Sequence, residues 1–74
     1  GRNSVQIHEH DRPVDFAALE QRLRAHGAVR YNDMLLRFER GKYHMTIFKD
    51  GRAMIQGTTD IGVARSLYAR FIGN

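Results

Sequence analysis

The chain has 74 residues, a net charge of +4, 42% apolar residues and no cysteine. That length admits one domain near the size where a single core gives only marginal stability. The missing thiols exclude a disulfide framework and any thiolate metal site, and no run approaches the ~20 apolar residues of a membrane span. The basic residues, ten Arg and two Lys, are spread along the chain instead of forming a block. Such a balance suits an acidic partner or nucleic acid without defining either.

The chain opens on Gly1 and carries no charged-then-apolar signal segment, so residues 1–4 read as a tag scar or linker. Residues 5–73 read as a single domain of a longer, cytoplasmic protein. Val5 to His10 alternates weakly, with Val5 and Ile7 on one side and Gln6, His8 and His10 on the other, an edge-strand pattern. Pro13 breaks it, because proline cannot donate to a ladder. A helix is predicted from Phe16 to His26, with Asp15 as N-cap and a hydrophobic staple between Val14 and Leu19. Phe16, Leu19 and Leu23 form its inward stripe, Glu20, Arg22 and Arg24 face water, and Gly27 closes it in the left-handed region.

From Val29 to Glu39 the period becomes two, and this stretch reads as one long strand. A two-residue turn at Arg40-Gly41 then pairs Phe38 with Tyr43, Leu36 with Met45, Met34 with Ile47 and Glu39 with Lys42. The next turn has two solutions. A two-residue Asp50-Gly51 turn mixes the sheet faces. A three-residue Lys49-Asp50-Gly51 loop with Gly51 in the bulge position pairs Ile47 with Ala53 and Met45 with Ile55, which keeps one apolar face continuous. The second is expected. A final helix follows Gly57, with Thr58 or Thr59 placed to cap it and Asp60 favourable near its positive end. Ile61, Ala64, Leu67, Tyr68 and Phe71 form its inward stripe, and Gly73 closes it.

These elements define an α+β two-layer sandwich of order β-α-β-β-β-α, an antiparallel four-stranded sheet with two helices on one face. The first strand is expected beside the second, with its direction left open. The far sheet face stays uncovered and mostly polar, but it carries Leu35, Phe48 and Met54 beside Arg37. These four residues are the candidate partner-binding surface.

Searches for chemistry find little. His8, Glu9, His10 and His44 contain metal-ligating types, but their spacing fits neither a zinc finger nor a helical His pair, so no metal site is assigned. No nucleophile setting surrounds Ser4 or Ser66, Asp50 and Asp60 are accounted for by turn and cap, and no glycine-rich loop cradles phosphate. No catalytic residue is assigned to this segment.

Two resemblances bear on function. Helix, three strands, helix, with Phe48-Lys49-Asp50-Gly51 and then Gly57 before the last helix, resembles a double-stranded RNA-binding domain. Such modules carry lysines at the start of that helix, where this chain reads Thr58-Thr59-Asp60-Ile61, and the Arg40-Gly41 turn is too short to enter a groove. Nucleic-acid binding is therefore the alternative reading and not the expected one. The segment DGRAMIQGTTDIGVARSLYARFIG, preceded by Phe48, is more specifically similar to the closing segment of ThiF/MoeB-type adenylyltransferases, bacterial relatives of ubiquitin-activating enzymes. Weaker similarity runs upstream through DFAALEQRLRAHGAVRYNDMLLRF. Similar sequences often carry Lys where this chain has Gln56.

The resemblance implies a parent enzyme that adenylates the C-terminal glycine of a ubiquitin-like sulfur carrier in thiamine or molybdopterin cofactor biosynthesis. It implies ATP, magnesium and zinc in the preceding domain, and none of them in this segment. It also implies that this segment is a non-catalytic C-terminal domain whose partners are the carrier or the parent's own adenylation domain.

Overall fold

The structure, a computed structural model, describes residues 4–8 and 13–72. Seven elements follow in chain order: β1 Ser4–Ile7, α1 Phe16–Leu23, β2 Ala28–Tyr31, β3 Leu35–Arg40, β4 Tyr43–Phe48, β5 Ala53–Gln56 and α2 Ile61–Phe71. The strands form one antiparallel sheet in the order β1-β5-β4-β3-β2. Both helices contribute to a single apolar cluster with Leu36, Phe38, Met45, Ile47, Ala53 and Ile55, so they cover the same sheet face. The α+β reading with two helices on one face therefore holds. The strand number and the strand order do not.

The predicted strand Val29–Glu39 is two strands joined by a tight turn. Asn32 makes it: its Oδ1 accepts from the backbone amides of Met34 and Leu35 at 2.8 and 3.0 Å, and its own amide donates to the Leu35 carbonyl. An Asn side chain that satisfies amides two and three residues on offers the chain an alternative to a continuing ladder. Met34, predicted to face Ile47 in the core, sits instead at the turn tip and is 73% exposed. β1 pairs antiparallel with β5, not with the strand that follows α1, because β2 already occupies the far edge beside β3. α1 thus carries the chain from one edge of the sheet to the other. Of the expected linker 1–4, residues 1–3 lie outside the described residues and Ser4 opens β1; Glu9, His10 and Gly73 also lie outside them.

The β3–β4 hairpin turns at Gly41-Lys42, with Gly41 at φ +58°, and aligns Arg40 with Tyr43, Phe38 with Met45 and Leu36 with Ile47. This register differs from the predicted one by two positions. Side-chain faces repeat every two residues, so the core-facing set survives while each partner changes. Glu39 accordingly meets His44, not Lys42, with Oε2 3.4 Å from Nδ1. The β4–β5 hairpin has the expected register, Ile47 with Ala53 and Met45 with Ile55, and Gly51 stands at φ +100°.

Asp15 caps α1 as expected, accepting from the Ala18 amide at 3.2 Å. The regular helix ends at Leu23, short of His26. Gly27 does not take a left-handed φ; it is glycine because a Cβ there would fall on the Glu39 carbonyl oxygen. The N-cap of α2 is Asp60, not Thr58 or Thr59: its Oδ1 accepts from Gly62 and Val63 at 2.8 and 3.2 Å, while Thr58 Oγ1 accepts from the Asp60 amide. Ile61, predicted to be inward, is 60% exposed at the first turn, whereas Ala64, Tyr68 and Phe71 are buried.

The 49–51 loop is held from the segment that leads into α1 and from α2. The Val14 amide donates to the Lys49 carbonyl at 3.0 Å, and Tyr68 Oη donates to the Gly51 carbonyl at 2.7 Å in a buried bond. Asp50 accepts from the Arg52 amide at 3.1 Å and takes Arg52 Nε on both carboxylate oxygens at 3.2 and 2.9 Å. The Arg52 backbone N–H, partly opposed by desolvation and then reinforced by the Arg52 guanidinium, holds the Asp50 carboxyl below its ordinary range. A carboxyl depressed on folding contributes stability above its unfolded value and loses it as pH falls through the folded one. Titration of the Asp50 carboxyl carbon should therefore give a midpoint below that of an unfolded-chain aspartate. Arg52→Ala should recover only part of the difference, because the backbone donor remains; full recovery would mean that the side chain alone sets it.

Candidate partner-docking surface

The sheet face opposite the helices is where all four sequence-predicted contact residues stand. Cross-strand registers build one continuous row across it: Gln6 on β1, Met54 on β5, Thr46 on β4, Arg37 on β3 and Arg30 on β2. In the neighbouring row Leu35 lies directly opposite Phe48. A second row places His44 between Gln56 and Glu39. The register thus brings Leu35 and Phe48 together as a cross-strand pair, with Arg37 two residues from Leu35 and Met54 two strands away. Leu35, Phe48 and Met54 are each partly buried by their neighbours, and Arg37 is exposed.

Phe48 does not present a bare ring. The Arg52 guanidinium lies over it, 5.1 Å from the centroid, while being held in place by Asp50. A guanidinium fixed over an aromatic face covers apolar surface and leaves donors pointing outward. The sequence reading gave Arg52 no role; the Asp-x-Arg spacing across the turn was the signal for its fixed position. Arg30 was also missed, because its strand was read as part of a longer one.

Among the described residues no group of three or more His, Asp or Glu could hold a metal ion. Gly57, the one glycine between a strand and a helix, is not part of a phosphate cradle. It stands at φ +105°, and its Cβ position is filled by the Lys42 carbonyl oxygen and the Tyr43 ring. The chain has no cysteine to form zinc-binding pairs. Among the described residues no helix is long and apolar enough to cross a membrane.

What the fold and this surface define is a small α+β domain with one helix-covered sheet face and one open face of mixed apolar and basic character. The chain is similar to the C-terminal region of the sulfur carrier protein ThiS adenylyltransferase of Bacillus subtilis (strain 168), with 41% identity over 75 residues. The match covers 99% of this chain and 22% of that enzyme's length. The resemblance to the C-terminal domain of ThiF/MoeB-type adenylyltransferases, first drawn from the closing segment, is thereby shown. No family model matches the chain, and no solved structure matches it.

Proposed function

We propose that this chain is a non-catalytic, C-terminal protein-interaction domain of an adenylyltransferase that activates a ubiquitin-like sulfur carrier. Its open sheet face receives that carrier. The observation that carries the reading is the Leu35–Phe48 cross-strand pair, standing in one patch with Arg37 and Met54 on a face that none of the described elements covers. Apolar centres ringed by charge suit recognition of a folded partner, with aromatic and Arg residues as anchors. The relative acts on a sulfur carrier protein, and its similarity to this chain extends through both hairpins that build the patch.

The double-stranded RNA reading finds less support. The start of α2 is capped by Asp60 and has no lysine, and the β3–β4 connection is a tight turn.

In the whole enzyme, Phe48→Ser should raise the carrier concentration needed for half-maximal adenylation about tenfold, the size of a modest interface anchor. Ile61→Ser, an exposed apolar residue at the start of α2, should leave it unchanged. Equal half-saturation for Phe48→Ser and wild type would remove the carrier from this face.

A further inference from the structure

Arg30 and Arg37 are direct cross-strand partners on the open face, and both are exposed. Directly opposed residues of an antiparallel pair have Cβ atoms about 5 Å apart, and like charges placed so oppose the fold. Among the described residues neither guanidinium has an ion pair or a hydrogen bond. Glu39, the one acid that the strand registers put on this face, lies beside His44 instead. The two guanidiniums border a cleft of about 460 Å³ lined by Ala28, Val29, Arg30, Arg37 and Glu39. Two forked cations side by side, at the rim of a cleft and next to an apolar pair, present donors matched to clustered carboxylates.

We infer that the Arg30–Arg37 pair is the docking point for an acidic patch on a protein partner, whose carboxylates bridge the two guanidiniums while its apolar neighbours meet Leu35 and Phe48. The bridging relieves the repulsion that the free domain carries. This rests on the docking reading above and adds to it the chemistry of the partner's surface. An acidic protein is favoured over nucleic acid because the cations form a single pair beside apolar side chains, not a stripe that follows a phosphate backbone.

The test uses the isotope-labelled domain and three probes: a glutamate-rich peptide, a duplex RNA oligonucleotide of equal charge, and a ubiquitin-like sulfur carrier. The peptide should shift the Nε–H signals of Arg30 and Arg37, and Arg30→Gln should weaken that binding about tenfold, the scale of a lost charge-assisted bond. Arg30→Gln should also melt no lower than wild type, because it removes a repulsion. A lower melting temperature, or no shift with the peptide, overturns the inference, as does RNA binding without peptide binding. A carrier that shifts Leu35 and Phe48 but leaves both arginines unmoved overturns it while leaving the docking reading intact. Peptide shifts at the arginines with no carrier shifts anywhere on the face support the acid-binding pair and sink the carrier as its occupant.

Discussion

Gly57→Ala should melt at least about 10 °C below wild type, whereas Gly41→Ala should lose only a few degrees. The two glycines share a positive φ, +105° at Gly57 and +58° at Gly41. They differ in surroundings. A Cβ at Gly41 meets nothing within 4 Å, so its substitution carries only backbone strain, about 1 kcal/mol. A Cβ at Gly57 falls on the Lys42 carbonyl oxygen and presses the Tyr43 ring, so overpacking of about 1–3 kcal/mol adds to strain of similar size. A domain of this length has about 4–11 kcal/mol in total, so the combined loss is a large share. Gly57 is where β5 leaves the sheet past the β3–β4 turn towards α2. Equal losses at the two positions would contradict that close approach.

Phe71→Ala should cost about 3–5 kcal/mol, the range for truncating a buried phenylalanine. Phe71 is 3% exposed and gathers several elements around one ring. Phe38 lies 5.3 Å away by ring centroids and His26 5.4 Å away, and Arg40 sits over the ring at 5.6 Å. Its carbonyl accepts from Arg22 Nη2 at 2.9 Å, which ties α1 to the end of α2, and Arg40 Nη1 donates to the His26 carbonyl at 2.7 Å. Phe71→Leu keeps most of the volume but loses the aromatic pairings, about 1 kcal/mol. Denaturant unfolding should show both losses as a lower midpoint with an unchanged slope. An unfolding free energy for Phe71→Ala within about 1 kcal/mol of wild type would mean that the helices do not meet over this ring.

The core was legible because strand and helix periods mark it independently of exact pairing. Leu36, Phe38, Met45 and Ile47 remain inward although the β3–β4 register moved by two, since an even slip keeps each side chain on its face. The break at Asn32 was hidden by alternation that looks continuous on both sides. The signal lay in the phase: Val29 is inward at an odd position, Leu36 and Phe38 at even ones, and Asn32-Asp33 marks the switch. Ile61 has the spacing of the inward stripe, yet it stands 60% exposed in the first turn of α2. The four proposed contact residues were found from parity alone, and Arg30 was lost with its strand. Arg22 read as a water-facing charge and Arg40 as a turn residue, yet each is fixed by a partner distant in sequence. Pattern reading sees faces, and such partners are set by packing.

The closing segment that carries the family resemblance is in large part a set of fold requirements. Asp50, Gly51 and Arg52 build one turn, Tyr68 holds that turn from α2, and Asp60 starts the helix. Phe48 and Met54 of the same segment stand on the open sheet face, which is proposed to receive the sulfur carrier. The most direct test of that docking is the footprint of a ubiquitin-like sulfur carrier on the amide spectrum of the labelled domain. Shifts should centre on Leu35, Arg37, Phe48 and Met54, with α1 and α2 unmoved. Shifts confined to the helices, or a flat spectrum at saturating carrier, would contradict it.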